Sequence, residues 1–234
     1  KSKLRTADEA LRMVRSGQRV FIGSSCGEPQ HLVNALMDNA QFFSDVEIVR
    51  LLSLEGSLIS LMADEYRGHK FHVRSIYQGS AQTKNLRANK RFITPLNLCA
   101  VPDLFKKKML PLHFALIQVS PPDDNGWMSL GISVDVTASA AAGADLVIAQ
   151  VNRKMPRVLG RSSIHVNDID YFVEYDEPLI EIGTYPDVES AETMARYVSR
   201  LVDDGSTMQM SLGGTSGANI SALMEKNDLG IHTQ

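Results

Sequence analysis

The chain has 234 residues, of which 44% are hydrophobic and 22% charged, and its formal net charge is −3. These values are typical of a soluble globular protein with a substantial core, and they give no general attraction to nucleic acid or to an anionic membrane. No run reaches the roughly 20 apolar residues that a membrane-spanning helix needs. The two cysteines, Cys26 and Cys99, predict free thiols in a reducing compartment, so we expect a cytoplasmic protein.

Short apolar runs alternate with helical patterns along the chain. The predicted strands are residues 19–23, 46–52, 71–76, 114–119, 146–151, 171–173 and 179–182. The predicted helices are residues 7–16, 30–39, 80–88, 98–107, 136–144 and 191–203. Asp135 or Thr137 is the predicted cap of the helix over 136–144. Strands 114–119 and 146–151 are almost continuously apolar, as in parallel strands that are buried on both faces. We therefore predict an open, mainly parallel, doubly wound α/β sheet.

Two polar segments interrupt this pattern. Residues 121–126 read PPDDNG, a turn cluster that predicts a surface loop or a hairpin. Residues 174–186 are rich in Asp, Glu and Pro and are interpreted as a linker. We accordingly predict one α/β domain over residues 1–186 and the beginning of a second, similar domain over residues 187–234.

The sequence contains two similar stretches in which a short strand, a glycine-rich turn and a helix ending Ala-Leu-Met follow one another. The first turn reads GSSCGEP at 23–29, and the second reads GGTSG at 213–217. Such turns direct backbone N–H groups toward one point, which suits an anion or a developing oxyanion. We predict one cradle around Ser24 and Gly27, and a second that contains Gly213, Gly214 and Gly217. The alternative for each turn is a tight connection without a ligand.

Several common sites are not indicated. Neither turn has the spacing of a dinucleotide or P-loop motif, and no G-x-S-x-G elbow occurs. The six histidines are scattered, so no metal site is predicted. Cys26 lies in the first turn, where it is either a reactive thiolate or a small packed residue.

The middle of the chain carries the most specific motifs. Residues 115–135 read ALIQVSPPDDNGWMSLGISVD, and residues 147–170 read VIAQVNRKMPRVLGRSSIHVNDID. Both segments resemble the acetyl-CoA hydrolase/transferase family, which includes acetate, butyrate and 4-hydroxybutyrate CoA-transferases. Residues 228–233, DLGIHT, extend the resemblance. Because members of that family are much longer, the resemblance implies an N-terminal half whose partner is the C-terminal half of the same protein.

The resemblance also implies a reaction. In this family a glutamate attacks a short-chain acyl-CoA, and CoA passes through an enzyme-bound intermediate to a carboxylate acceptor or, in a hydrolase, to water. Coenzyme A is therefore the expected substrate. The glutamate's position falls on Gln234, whose neutral amide is a poor nucleophile. Another nucleophile, an introduced substitution, or binding of CoA esters without turnover would each explain Gln234, and we expect the isolated chain to be inactive in CoA transfer.

The remaining candidate residues follow from their positions at strand ends. Gln118, Asn152 and Met155 are predicted to face the same cleft as the first cradle, and Gln209 is predicted on the strand that enters the second turn. All four are predicted contacts of the acyl or CoA group. His165 is interpreted as a structural hydrogen-bonding residue, because carboxylate chemistry needs no base. No metal, membrane or nucleic-acid partner is predicted, and a homo-oligomer remains open. The alternative function is a non-catalytic module that binds acyl-CoA or an organic acid.

Overall fold

The computed structural model describes residues 3–51, 70–76, 91–181, 189–210 and 222–233. The chain divides into two compact units, Lys1–Glu181 and Ile182–Gln234. The domain boundary predicted between residues 186 and 187 lies outside the described residues and stays a prediction.

The first unit is built on a parallel sheet, which has seven strands within the described residues. In chain order they are β1 (Arg19–Ile22), β2 (Val46–Arg50), β3 (Phe71–Ser75), β4 (Arg91–Ile93), β5 (Leu112–Val119), β7 (Ala144–Val151) and β9 (Tyr171–Glu174). Their order across the sheet is β4-β3-β2-β1-β5-β7-β9, and every neighbouring pair is parallel. A separate antiparallel pair consists of β6 (Trp127–Ser129) and β8 (Ser163–His165).

Helices cover both faces of the sheet. Within the described residues of the first unit they are α1 (Ala7–Leu11), α2 (Gln30–Asp38), α3 (Val101–Lys106) and α4 (Thr137–Gly143). Along β1, Val20 and Ile22 are buried in a core cluster with α1 and α2, whereas Phe21 is buried in a second cluster with α3 and α4. Side chains alternate between the faces of a strand, so two apolar layers require apolar residues at successive positions. The predicted doubly wound α/β fold is confirmed.

Local sequence signals account for several helix starts. Thr6 Oγ1 accepts a hydrogen bond from Glu9 N at 3.2 Å, and Glu9 Oε2 accepts one from Thr6 N at 3.0 Å, which forms a capping box before α1. Before α4, Asp135 Oδ1 accepts hydrogen bonds from Thr137 N at 3.0 Å and Thr137 Oγ1 at 2.8 Å. Of the two predicted cap residues, Asp135 binds the first amide of this helix, whereas the N-cap position itself is Val136, which makes no side-chain cap hydrogen bond.

The structure also corrects the predicted elements. The strand predicted over 179–182 is wrong for residues 179–181, which have no regular secondary structure. This segment follows Pro178, whose carbonyl accepts a hydrogen bond from Gln30 Nε2 at 3.1 Å, and residues 179–181 pair with no strand of the described sheet. The predicted helix 80–88 lies outside the described residues. β4, β6 and β8 were missed because three residues are too few to show a period of two.

The second unit contains α5 (Glu189–Leu201) and the parallel strands β10 (Thr207–Met210) and β11 (Gly230–Thr233). Its strands are close neighbours, because a Cβ at Gly230 would lie 2.7 Å from Thr207 Oγ1. Across the described ranges of both units, no helix combines the length and apolarity that crossing a bilayer requires.

Candidate active site at the reversal of strand order

The sheet changes direction between β1 and β5. From β1 the chain adds β2, β3 and β4 on one side, and it then returns to place β5, β7 and β9 on the other side. In open α/β sheets, ligands bind outside the carboxyl ends of the strands at this reversal. The first glycine-rich turn leaves β1 at that position, so the sequence-predicted cradle lies where the topology favours a ligand.

The turn after β1 contains two backbone donors that are not used internally. Residues Ser25–Gly27 form one turn of 3₁₀ helix, and Ser25 adopts a left-handed φ of 59°. Gly27 N donates to Ser24 O and Glu28 N donates to Ser25 O, each at 3.2 Å. Neither the N–H group of Ser25 nor that of Cys26 has an acceptor on another residue within the part of the chain that the structure describes. These are the first amides of a helical turn, which have no partner inside it, and they form the candidate oxyanion cradle.

Ser24 and Gly27 shape the cradle by their contacts with neighbouring segments. The Ser24 side chain is buried, and its Oγ accepts a hydrogen bond from Leu51 N at 3.1 Å. Ser133 Oγ donates to Ser24 O at 3.4 Å from the loop before α4. A Cβ at Gly27 would overlap the Ser133 side chain, with Ser133 Oγ at 2.8 Å. Glycine is therefore required here by the close approach of Ser133.

The side chains of Gln118 and Asn152 hold this turn through hydrogen bonds. Gln118 Nε2 donates to Glu28 O at 3.0 Å and to Gly27 O at 3.4 Å. Gln118 Oε1 accepts a hydrogen bond from Asn152 Nδ2 at 2.6 Å, and both side chains are buried. Every polar atom of the Gln118 amide is thus engaged by the protein. Their predicted contact with substrate stays a prediction, and the observed contacts give them a role in holding the turn.

An acidic side chain from a distant segment binds the N-terminus of helix α2. Its N-cap residue is Pro29, which supplies no side-chain hydrogen bond. Glu177 Oε1 instead accepts a hydrogen bond from His31 N at 3.1 Å across 146 positions of sequence. Gln150 Oε1 accepts from Leu32 N at 3.4 Å. The N-terminus of α2 is therefore capped by the protein's own carboxylate.

Met155 lies in the loop after β7, where it is only 2% exposed. Gly131 has a left-handed φ of 58°, and a Cβ at this glycine would overlap Met155 Sδ. Met155 is packed into this gap, and its predicted contact with the acyl or CoA group stays a prediction.

Cys26 is half-buried beside the cradle amides. Burial raises the pKa of its thiol, because desolvation disfavours the thiolate more than hydrogen bonds from Ser25 and from its own backbone favour it. Of the two interpretations of Cys26, the packed thiol is the one that this environment favours.

A polar cluster fixes the loop between β5 and β6. Asp123 Oδ1 accepts hydrogen bonds from Trp127 N at 2.9 Å and Asn125 N at 3.0 Å, and Asp123 Oδ2 lies 3.1 Å from Arg157 Nη2. The hydrogen bond from Trp127 N is the main cause that lowers the pKa of Asp123.

His165 Nε2 lies 3.0 Å from Asn125 O, as expected of a structural residue. In the described ranges no group of three or more His, Cys, Asp or Glu residues could hold a metal ion.

The second unit places fewer of the predicted site residues. Gln209 lies exposed on β10 and is the register partner of His232 on β11. The next register pair is Met210 with Thr233, so β10 and β11 end at the same edge. The remaining predicted site residues of this unit lie outside the described residues, and they are Gly213, Gly214, Gly217 and Gln234.

A family model matches most of the chain. It describes the acetyl-CoA hydrolase/transferase N-terminal domain and matches residues 1–182. The 4-hydroxybutyrate coenzyme A transferase of Clostridium kluyveri is 39% identical over 240 residues, which cover 100% of this chain and 54% of that relative. The chain therefore spans about half the length of the curated relatives it matches.

Solved structures give the same picture. RipA from Yersinia pestis has a TM-score of 0.89 and 28% sequence identity, and the match covers 99% of this chain and 56% of that protein. The 4-hydroxybutyrate CoA-transferase from Porphyromonas gingivalis has a TM-score of 0.80 and 28% identity, with coverage of 99% and 54%.

Proposed function

The chain belongs to the acetyl-CoA hydrolase/transferase family, and we propose that the protein carrying it transfers CoA from a short-chain acyl-CoA to a carboxylate. The observation that carries the proposal is the 39% identity to a 4-hydroxybutyrate coenzyme A transferase along the whole chain. The position of the first turn, at the reversal of strand order, supports a ligand site at the same place.

In the proposed reaction a carboxylate attacks the thioester carbonyl carbon, the C–S bond breaks, and CoA leaves as the thiolate. The thiolate then attacks the carboxylate-derived carbonyl of the resulting anhydride and releases the acyl group as its acid. An incoming carboxylate repeats these steps in reverse and takes the CoA. Each attack places negative charge on a carbonyl oxygen, which needs prepositioned N–H donors and exclusion of water.

The Ser25 and Cys26 N–H groups are our candidates for the donors. They lie on a turn that Gln118 and Ser133 hold from two sides, so they need little rearrangement when charge develops. Loss of one such donor costs about 2.7–4 kcal/mol of transition-state stabilisation in enzymes of known mechanism.

The residue at position 234 favours a second candidate function. The family resemblance gives this position to the nucleophilic glutamate, and the chain has Gln234. An amide supplies no carboxylate, so binding of acyl-CoA without turnover is the alternative. Water as the final acceptor, which would make the protein a hydrolase, is a variant of the first function.

Calorimetry and a thioester assay on the full-length protein distinguish these functions. Transfer predicts tight acyl-CoA binding together with CoA exchange, and Gln234→Glu should raise the rate. If the full-length protein and its Gln234→Glu variant both bind acyl-CoA without CoA exchange, the non-catalytic binding function is favoured. Absence of acyl-CoA binding in both would contradict the proposal. The cytoplasmic location and the homo-oligomer stay predictions.

A further inference from the structure

We propose that Glu177 is a positioning residue that holds the Ser25–Cys26 cradle through a chain of side-chain amides. The proposal rests on the proposed function for its catalytic consequence, but its structural part stands on contacts within the first unit. Glu177 lies in a segment that sequence analysis interpreted as a linker, and it reaches the cradle through Asn152 and Gln118.

The first link joins Glu177 to two structural elements. Its carboxylate Oε1 accepts hydrogen bonds from Gln150 Nε2 at 2.6 Å and from His31 N at 3.1 Å, which connects β7 to the start of α2. Its backbone carbonyl accepts one from Asn152 Nδ2 at 2.8 Å. Glu177 therefore contacts the helix that follows the cradle through its carboxylate, and it contacts the Asn152 side chain through its backbone carbonyl.

The second link carries that position to the turn. Asn152 Nδ2 also donates to Gln118 Oε1 at 2.6 Å, and Gln118 Nε2 donates to Glu28 O at 3.0 Å and Gly27 O at 3.4 Å. Asn152 Oδ1 accepts from Lys154 N at 2.9 Å. Because each amide atom has a partner, neither side chain can rotate without leaving a buried polar group unsatisfied.

The segment that carries Glu177 is itself anchored on α2. We call residues 175–178 the strap. The Tyr175 ring stacks on His31 with centroids 3.7 Å apart and an interplanar angle of 9°, and Gln30 Nε2 donates to Pro178 O at 3.1 Å. These contacts on either side of Glu177 restrict its backbone, so its carboxylate meets α2 in one position.

The alternative is that Glu177 only caps α2, in which case its loss lowers stability without a specific effect on the cradle. Three variants of the full-length protein separate the two roles. Glu177→Ala removes the carboxylate, and Glu177→Gln keeps a side-chain oxygen that can accept from His31 N. Glu174→Ala is the matched control, because Glu174 is an exposed glutamate three positions earlier and outside the strap.

The first measurement is amide hydrogen exchange in residues 24–28. We expect Glu177→Ala to accelerate exchange in this turn at least about tenfold, Glu177→Gln to restore most of the protection, and Glu174→Ala to leave it unchanged. Unchanged exchange in Glu177→Ala would overturn the proposal. This readout needs no catalysis, so it remains valid if the proposed function is wrong.

The second measurement is steady-state kinetics of CoA transfer. We expect Glu177→Ala to lower kcat about tenfold with little change in KM for acyl-CoA, and Glu177→Gln to recover most of the loss. If Glu177→Ala does not fold, Asn152→Asp replaces it, because that side chain keeps its size and loses both donated hydrogen bonds. A normal kcat in a folded Asn152→Asp protein would contradict the relay.

Discussion

Asn152 Nδ2 lies 2.6 Å from Gln118 Oε1, so an amide–amide hydrogen bond joins the ends of the neighbouring strands β5 and β7. Both residues stand beside the reversal of strand order, where a sequence pattern predicts substrate contacts. In the structure their polar atoms are occupied by protein groups, whereas the backbone amides of Ser25 and Cys26 have no acceptor on another described residue.

The hydrogen bonds of the Gln118 side chain predict a large loss of stability when its amide group is removed. Gln118→Leu leaves the Gly27 and Glu28 carbonyls and the Asn152 amide without their buried partner, so the free energy of unfolding should fall by about 1–3 kcal/mol or more. Urea denaturation measures the change. Gln41→Leu is the control at an exposed glutamine, where we expect a change within about 0.5 kcal/mol. Equal losses of stability in Gln118→Leu and Gln41→Leu would show that the Gln118 hydrogen bonds do not stabilise the turn.

The close packing of Gly27 against Ser133 predicts that a substitution at Ser133 restores stability lost by a substitution at Gly27. Gly27→Ala places a methyl group on the Ser133 side chain, and we expect it to cost about 1–3 kcal/mol of folding free energy and to lower kcat. Ser133→Gly removes the obstructing atoms. The double variant should therefore be more stable than the sum of the single effects predicts. Simple additivity in a double-mutant cycle would show that the contact is not the cause.

The environment of Cys26 predicts weak reactivity at neutral pH. Because burial raises the pKa of its thiol, little thiolate is present, and alkylation should accelerate only as the pH rises above the ordinary range of cysteine. Iodoacetamide labelling with mass spectrometry measures this, and exposed Cys99 serves as the internal reference. Labelling of Cys26 as fast as Cys99 at neutral pH would refute the packed-thiol interpretation.

The lowered pKa of Asp123 predicts a pH-dependent contribution to stability. A carboxylate whose pKa is lower in the folded state stabilises fully above its unfolded pKa, and the contribution is lost as the pH falls through the folded value. Asp123→Asn should therefore lower stability at neutral pH, with a difference from the parent protein that disappears in strong acid.

Chemical denaturation across that pH range measures the difference. Asp124→Asn changes the same charge at the neighbouring position, where no hydrogen bond to the side chain is present in the described residues. A difference for Asp123→Asn that is constant with pH would show that the carboxylate charge is not involved.

The two longest strands are the elements that the sequence predicts most directly. β5 and β7 are eight residues each, and their unbroken apolar runs identify strands buried on both faces. Residues 179–182, which were also predicted as a strand, are apolar at several positions too. They follow Pro178, whose carbonyl accepts a hydrogen bond from Gln30 Nε2 and not from a neighbouring strand. Short runs of apolar residues do not by themselves distinguish these cases.

The candidate site was only partly predictable for a related reason. The first turn is recognisable because its glycines and the following helix are adjacent in sequence. Glu177 and Gln150 reach α2 across more than a hundred residues, and nothing local to either residue indicates that contact. A helix that begins after proline without a capping side chain, as α2 does, is the signal that a distant cap was needed.

The most direct test of CoA transfer uses the full-length protein with Gln234→Glu, a short-chain acyl-CoA and carbon-13-labelled acetate. Mass spectrometry should detect labelled acetyl-CoA and an equal amount of the free acyl acid, formed faster than by the protein with Gln234. A folded Gln234→Glu protein that binds acyl-CoA yet produces neither labelled acetyl-CoA nor free acid would contradict the proposed transfer.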